Sequence, residues 1–250
     1  MGSNKKYFDD CYKWSLEPVK DITFSLYSAN TWETFRKYIC DDKAIIDLGC
    51  GAGVLLYNIH KVASRFINCN VVGYDFAEES ISLARQLCPG VIFKTGGILN
   101  TEFKSNTFDI IASTMAIEHV DDEMFIKEIA RIIKPNGILL LTTVMKKKWA
   151  WYYLKNKNGK RVLELTHLRE YANPQELISK LRKYGFKTVF LETPAIKFSI
   201  LDFVLIRLAK IFKKRLFLEI AAKDIIVKLR KIFKVTVPGY FAIEIIATRI

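Results

Sequence analysis

Short apolar runs alternate with longer stretches of helical periodicity from about residue 43 onward. The near-continuous apolar character of the short runs is typical of strands in a parallel sheet that is covered on both faces. Strands are predicted at residues 44–48, 70–74, 91–94, 108–113 and 137–144. Amphipathic helices are predicted at residues 54–65, 77–88 and 121–133. This alternation predicts a doubly wound α/β fold.

The second half of the chain continues this pattern, with one long interruption. Asn173 can cap a helix at residues 174–184, and a strand follows at residues 186–191. A final strand is predicted at residues 240–248, and a helical, basic and amphipathic insertion precedes it where a short turn would suffice. We therefore predict one domain with a mostly parallel, seven-stranded sheet and an insertion at residues 198–236.

Two motifs follow the first two predicted strands. The segment DLGCGAG at residues 47–53 leads from a buried strand into a helix, and its glycines permit a tight turn that a ligand can approach closely. The segment VVGYD at residues 71–75 ends on Asp75, whose carboxylate can accept hydrogen bonds from both ribose hydroxyls of an adenosine. The glycine spacing is GxGxG, whereas a dinucleotide site would prefer GxGxxG, and position 54 is Val.

The combination of DLGCGAG and VVGYD resembles the class I S-adenosylmethionine-dependent methyltransferase family. The resemblance continues through FDIIAS, IEHV and IKPNG and covers about residues 40–145. It implies a Rossmann-like methyltransferase fold that binds S-adenosyl-L-methionine. The resulting division is an N-terminal helical lid (1–42), a cofactor-binding core (43–145), a substrate-side half (146–197), the basic insertion (198–236) and a final strand (237–250).

The resemblance also implies a role for individual residues. The glycine turn should cradle the methionine part of the cofactor, Asp47 should lie near its amino group, and Asp75 should hold the ribose. Adenine should lie against Phe76 and be recognised by the backbone of Gly97 and Ile98, since no acidic residue follows the third strand. The complete predicted cofactor site is Asp47, Gly49, Cys50, Gly51, Gly53, Asp75, Phe76, Gly97, Ile98 and Thr114.

Two histidines lie where an open α/β sheet binds its substrate. His119 follows the fourth strand and His167 follows the fifth, and either could accept a proton near neutral pH from a hydroxyl acceptor. The alternative is that each histidine packs a loop or caps a carbonyl. Glu118 and His119 also resemble a metal-binding pair, but no further acid or histidine stands at a supporting spacing, so no metal site is predicted.

The net charge of +13 is concentrated in one part of the chain. Residues 1–144 carry 15 Lys+Arg and 18 Asp+Glu, a net of −3, whereas residues 145–240 carry 23 and 7, a net of +16. Such asymmetry indicates a negatively charged partner, either nucleic acid or an anionic membrane surface, unless the lysines are simply solvated. The odd number of cysteines and the lack of CxxC pairs favour reduced thiols in the cytosol.

The basic insertion has the pattern of a helix that lies in a membrane interface. Basic residues recur on one face and aliphatic residues occupy the others, and an aromatic cluster at residues 149–153 adds interfacial anchors. The basic residues are Arg207, Lys210, Lys214, Lys223, Arg230 and Lys234. The aliphatic and aromatic residues are Ile200, Phe203, Val204, Ile211 and Leu218. The alternatives are a helical lid over the sheet and, with less support from this aliphatic composition, a nucleic-acid surface.

The function predicted from these features is O-methylation of a small-molecule, lipid-linked or glycan-type acceptor. The enzyme is expected in the cytoplasm, where it could associate peripherally with the membrane through residues 198–235. A nucleotide-dependent oxidoreductase on a similar sheet and a non-catalytic membrane- or RNA-binding protein with a relict site are the alternatives. The sequence does not predict the oligomeric state.

Overall fold

The structure is a computed structural model that describes residues 27–151, 153–156, 158–212, 216, 220 and 224–250. Its strands are β1 Ala44–Leu48, β2 Asn70–Asp75, β3 Ile92–Thr95, β4 Phe108–Thr114, β5 Ile133–Lys146, β6 Leu154–Lys155, β7 Arg161–Val162, β8 Phe186–Glu192, β9 Ala195–Ser199 and β10 Lys234–Arg249. Its helices are α1 Ala29–Phe35, α2 Val54–Ala63, α3 Glu78–Leu87, α4 Asp122–Ile132, α5 Pro174–Lys183, α6 Ile200–Phe212 and α7 Asp224–Ile232. Short 3-10 helices lie at Arg36–Tyr38 and Ile117–His119.

The main sheet has the strand order β3-β2-β1-β4-β5-β10-β8. The first five strands of this order pair in parallel, and β10 pairs antiparallel with both β5 and β8. The doubly wound, mostly parallel prediction is therefore confirmed. The seven strands of this order fit the predicted number. An additional strand, β9, lies off this path and pairs with the early part of β10, which begins at Lys234, before the predicted start of the last strand.

Successive residues of each central strand point to opposite faces of the sheet. Because these residues are apolar, the sheet has a hydrophobic core on both faces. Ile46 packs with Phe125 and Leu177 in the cluster that holds α4 and α5. Its neighbour Ile45 packs on the other face with Phe35 and the residues of α2. Of the predicted lid at residues 1–42, residues 1–26 lie outside the described residues. The described part contains α1, which packs on this second face, and the 3-10 helix at Arg36–Tyr38.

Side chains cap the starts of α4 and α5, and the cap at Asn173 was predicted. The Asp121 side chain accepts a hydrogen bond from the Met124 amide at the start of α4. The Asn173 side chain accepts one from the Glu176 amide at the start of α5. These contacts satisfy amide groups that have no partner within the helix. They fix the starts of two helices that pack on the same face of the sheet.

The insertion before the last strand is helical on both sides of the residues that are not described, as predicted. It leaves the sheet from β9, forms α6 and α7, and returns into β10. The two ends of the insertion meet where the Ile200 amide donates to the Phe233 carbonyl at 3.1 Å. Lys214, Leu218 and Lys223 of the predicted stripe lie outside the described residues.

Candidate active site

The glycine turn after β1 has the backbone conformation that its glycines permit. Gly49, Gly51 and Gly53 have φ values of +75°, +51° and +84°, in the left-handed region that other residues rarely adopt. A Cβ on Gly49 would lie 2.8 Å from the Cβ of Ala116, just beyond β4. The turn therefore needs glycine for its conformation, and at Gly49 also for the close approach of the segment after β4.

The turn is fastened to the end of β2. The amides of Gly49 and Cys50 both donate to the Tyr74 carbonyl, at 2.7 and 3.1 Å. The Cys50 thiol is buried, and burial, followed by the nearby carboxylates of Asp47 and Asp75, raises its pKa well above the usual range. The thiol stays protonated, which agrees with a small turn residue and argues against a nucleophile.

Asp75 connects the turn to the next helix. Its buried carboxylate accepts the Gly51 amide at 2.9 Å and the Ala77 amide at 2.9 Å, one on each oxygen. Each carboxylate oxygen has lone pairs for more than one donor, so these bonds orient the group and leave it able to accept hydroxyls. Phe76, half-buried, follows at the same edge of the sheet.

Asp47 has a buried carboxyl group with a strongly raised pKa. Its side chain is 1% exposed, and neither carboxylate oxygen has a hydrogen-bond partner among the described residues. Burial, and secondly the charge of Asp75, raises the pKa of Asp47 to about 8. A buried carboxylate of this kind is costly unless a cation pairs with it.

The ends of β3 and β4 complete this edge of the sheet. The Gly96 amide donates to the Asp75 carbonyl at 3.0 Å, so the segment after β3, with Gly97 and the buried Ile98, starts beside the end of β2. Thr114 is the last residue of β4, and the φ of +50° at Met115 turns the chain sharply there. The carboxyl ends of four neighbouring strands thus carry the predicted parts of the cofactor site: the glycine turn, Asp75 with Phe76, Gly97 with Ile98, and Thr114.

A second polar cluster lies beyond β4 and consists of Glu118, His119 and His167. Each of the three residues offers a ligand-type atom, and these atoms lie within 4.8 Å of one another. The two imidazole rings meet edge to face with centroids 4.9 Å apart. The sequence prediction weighed Glu118 and His119 without a third partner, and the fold supplies one from the loop after β5.

Side-chain contacts hold both histidines in place. Nδ1 of His119 lies 3.0 Å from the Thr166 hydroxyl, and Nδ1 of His167 lies 2.8 Å from Oε1 of Glu170. Glu170 was missed in the sequence, where its only signal is its position three residues after His167. The short hairpin of β6 and β7 is tied to the cluster because the Asn156 amide group donates to the His167 carbonyl at 2.9 Å.

Burial gives these groups shifted pKa values. It raises the pKa of Glu118 to about 7, with His167 and the Thr143 hydroxyl opposing the shift. Burial, and secondly His167, lowers the pKa of His119 to about 4, which makes it a neutral imidazole and a weak base. For His167, burial alone would lower the pKa, but the hydrogen bond to Glu170 and nearby carboxylates outweigh burial and raise it.

Comparison with known proteins decides what this arrangement is. A family model described as a methyltransferase domain matches residues 39–193, which is more than half of the chain. The chain belongs to the class I S-adenosylmethionine-dependent methyltransferase family. This membership decides against the oxidoreductase and the non-catalytic alternatives, and it makes S-adenosylmethionine the cofactor.

The methyltransferase is similar to proteins from several bacteria. It is 24% identical to a demethylmenaquinone methyltransferase of Lactiplantibacillus plantarum, over 70% of this chain and 86% of the relative. It is 27% identical to a ubiquinone biosynthesis O-methyltransferase of Bartonella bacilliformis, over 58% of this chain and 60% of the relative. A solved structure of a putative methyltransferase from Bacillus halodurans superposes with a TM-score of 0.58 at 18% identity, covering 88% of this chain and 99% of that one, which shows the shared fold.

The residues of this methyltransferase fit its cofactor. When bound, S-adenosylmethionine supplies a methyl group on a positively charged sulfonium, and it also carries an ammonium group. Such a cation would stabilise the buried carboxylate of Asp47, which has no hydrogen-bond partner among the described residues. We propose that Asp47 faces the ammonium group and that Asp75 accepts the ribose hydroxyls. The roles of Phe76, Gly97, Ile98 and Thr114 stay predictions.

Replacing Asp75 with Ala is expected to weaken binding of S-adenosylhomocysteine by about 1.5–3 kcal/mol, roughly 10- to 150-fold, because the ribose hydroxyls lose a charged acceptor. Asp75→Asn separates this effect from damage to the turn, since its amide oxygen can still accept the Gly51 or the Ala77 amide. Calorimetry on both variants checks the prediction. Wild-type affinity in Asp75→Ala would remove Asp75 from the site.

Proposed function

We propose that this methyltransferase transfers the methyl group to a hydroxyl of a small, quinone-like or lipid-linked acceptor at the surface of an anionic membrane. The observation that carries the hydroxyl is the cluster of Glu118, His119 and His167, placed directly after the segment that touches the glycine turn. The names of the two relatives above, both of which refer to quinones, support the acceptor class.

A hydroxyl acceptor must lose its proton, and we propose that the cluster assists this loss. Methyl transfer is a displacement in which the enzyme aligns the reacting atoms and excludes water, but a hydroxyl must also lose its proton. We propose that His119 and His167 act on that hydroxyl. Thr166 and Glu170 hold the two imidazoles in fixed orientations, as this role requires. On its more open side the cluster is bordered by Glu164, whose side chain is 40% exposed.

The position of the transferred methyl group tests the hydroxyl. The enzyme is incubated with S-adenosylmethionine labelled in its methyl group and with lipid-soluble phenols, and mass spectrometry locates the label in the product. We expect an O-methyl ether. A product labelled on carbon or nitrogen, with phenolic oxygens untouched, would contradict the proposal. A matched set of water-soluble phenols shows whether lipid solubility of the acceptor matters.

The membrane part of the proposal rests on charge and on exposed apolar surface together. The insertion lies within residues 145–240, which carry a net charge of +16. Aliphatic side chains on or beside α6 and α7 are exposed, among them Ile211, Ile225 and Ile232, each about 70% exposed. Such surface is costly in water and fits the interface of an anionic bilayer, where each basic residue near the surface contributes about 1 kcal/mol.

Trp149 adds to this surface from a different element. It follows β5 and is 64% exposed, beside the basic run at residues 146–148. Exposed tryptophan next to lysine is typical of the headgroup level of a bilayer. Across the part of the chain that is described, no helix combines the length and the apolar character that crossing a membrane requires. Nucleic acid is a weaker partner for so aliphatic a surface.

Charge reversal in the insertion is expected to abolish binding to anionic vesicles. The wild-type protein should float with vesicles that contain anionic lipid, float much less with neutral vesicles, and dissociate as salt is raised, because exposed charges are screened over about 8 Å at physiological ionic strength. The triple variant Arg207→Glu, Lys210→Glu and Lys214→Glu should stay unbound and keep its affinity for S-adenosylhomocysteine.

A control variant carries the same change of net charge elsewhere. Lys61, Arg65 and Lys127 are exposed and lie on or beside α2 and α4, so their reversal to Glu should leave vesicle binding nearly unchanged. Equal binding of the wild-type protein to neutral and anionic vesicles would contradict the role of charge. Binding to neither would make the insertion part of the substrate pocket instead.

A further inference from the structure

The most unusual feature outside the cofactor site is the chemistry gathered at the Glu118, His119 and His167 cluster. Two imidazoles and a carboxylate have ligand atoms within 4.8 Å of one another, and Glu118 and His167 are 1% and 3% exposed. The three residues come from two separate segments, the 3-10 helix after β4 and the loop after β5. The sheet topology, and not the local sequence, brings them together.

One carboxylate oxygen of Glu118 has no hydrogen-bond partner among the described residues. Oε2 of Glu118 accepts a hydrogen bond from the Thr143 hydroxyl at 3.0 Å, whereas Oε1 is buried and has no hydrogen-bond partner within the described part of the chain. A buried carboxylate oxygen left in this way is costly unless a cation or a donor pairs with it. His119 and His167 each place a ring nitrogen within 4.8 Å of a carboxylate oxygen of Glu118.

The surroundings of His167 are those of a metal ligand. Its Nδ1 lies 2.8 Å from Oε1 of Glu170, whose side chain is 2% exposed. An N–H at Nδ1 that donates to a carboxylate leaves the lone pair on Nε2, the atom that would bind a metal, and it orients the ring as second-shell carboxylates do. The Thr166 hydroxyl at 3.0 Å from Nδ1 plays the corresponding part for His119.

We propose that Glu118, His119 and His167 bind one divalent transition-metal ion of the zinc class. Two imidazoles and one carboxylate are a ligand set that catalytic zinc sites use, with a further position open to water or substrate. Mg²⁺ and Ca²⁺ prefer oxygen ligands, so the two nitrogens select against them. The cluster contains no thiolate, so it offers nothing that specifically selects a softer metal ion.

The role of the metal rests on the proposed function, whereas the metal site does not. A hydroxyl acceptor that binds the open position would have its pKa lowered by the metal, as water does. The acceptor oxygen then loses its proton to solvent and forms the new O–C bond. The S–C bond of the sulfonium breaks, its electron pair stays on sulfur, and S-adenosylhomocysteine leaves. In this scheme the two histidines act on the hydroxyl as ligands of the metal.

Metal binding is measured without any acceptor. Chelator-treated full-length protein is titrated with Co²⁺, followed by its visible absorption, and then with Zn²⁺ as the competitor. We expect one Co²⁺ per chain, displacement by Zn²⁺, and no effect of Mg²⁺. Alanine at His119 or His167, or Glu118→Gln, should weaken binding by about 100-fold or more, and Glu170→Gln by about 10- to 100-fold. His60→Ala, at the third histidine of the chain, is the matched control and should bind like wild type.

The outcomes separate this inference from the proposed function. Co²⁺ binding that is absent, or that is as strong in the His119→Ala and His167→Ala variants as in wild type, overturns the metal site. If the site binds Zn²⁺ but chelator-treated enzyme methylates a phenol at the full rate, the catalytic role is overturned. Specific Zn²⁺ binding by an enzyme that methylates only carbon or nitrogen supports the site and contradicts the hydroxyl acceptor.

Discussion

An Asp47→Asn variant is expected to lose most of its cofactor affinity while becoming more stable at alkaline pH. The loss follows because the ammonium group of the cofactor exchanges a charged partner for a neutral amide. Hydrogen bonds to charged groups contribute about 1.5–3 kcal/mol, so S-adenosylhomocysteine should bind roughly 10- to 150-fold more weakly. Calorimetry at constant pH measures this change.

The gain in stability follows from the unpaired carboxylate. The pKa of Asp47 is about 8 in the folded protein, above the value of an exposed aspartate, so the folded state holds a proton that the unfolded state has lost. The free energy of unfolding should therefore fall as pH rises from about 4 to about 8, by at most about 1.4 kcal/mol per pH unit from this group, and should level off above pH 8. The Asn variant lacks this loss, so its advantage over wild type in free energy of unfolding should grow across this pH range, by at most about 1.4 kcal/mol per pH unit, and stay constant above it.

The same pKa makes cofactor binding depend on pH. A cation beside Asp47 favours its charged form, so binding near pH 7 should release a proton, and affinity should rise as pH increases towards 8. The control is Asp109→Asn at the opposite end of β4, whose carboxylate contacts Lys134 at 2.7 Å and has a lowered pKa. It should leave cofactor affinity unchanged. Equal pH dependence of cofactor affinity in wild type and Asp47→Asn would rule out Asp47 as the partner of the cofactor.

Alanine in place of His119 or of His167 is expected to lower turnover of a hydroxyl acceptor by about 100-fold or more, the scale at which groups that assist proton removal act. The cofactor site lies beside this cluster and is built from other residues, so affinity for S-adenosylhomocysteine should stay within a few-fold of wild type. Turnover and calorimetry on the same preparations separate the two effects.

The matched control for this pair is His60→Ala, because His60 lies in α2, outside the cluster. It should keep near wild-type turnover. If neither His119→Ala nor His167→Ala lowers turnover more than a few-fold, the cluster does not act on the acceptor. Catalysis would then rest on positioning alone.

Much of the fold was predictable because its signals are local. The parallel core strands are continuous apolar runs, and the predicted bounds of β1 agree with the structure residue for residue. β9 was missed because its sequence AIKFS is a short alternating segment on the edge of the sheet. It pairs with the first residues of β10, and nothing in either segment alone specifies that contact.

Some parts of the candidate site were likewise predictable from the local sequence, and others were not. The glycine turn and Asp75 are neighbours of strand ends, so their meeting at one sheet edge follows from the order of elements. His119 and His167 are far apart in sequence, and only the path of the loop after β5 brings the rings within 4.9 Å. The spacing argument considered only positions close in sequence, so it could not include His167 as a third partner of Glu118 and His119. The unpaired oxygens of Asp47 and Glu118 could not be predicted either, because burial depends on the packed fold.

A crystal structure of the enzyme with S-adenosylhomocysteine tests the central claim most directly. The account predicts that the ribose hydroxyls lie within hydrogen-bond distance of Asp75, while the amino group lies at Asp47 and the homocysteine chain crosses the turn at residues 49–53. A ligand bound elsewhere, or one that makes no hydrogen bond to the Asp75 carboxylate and leaves Asp47 without a cationic neighbour, would contradict it.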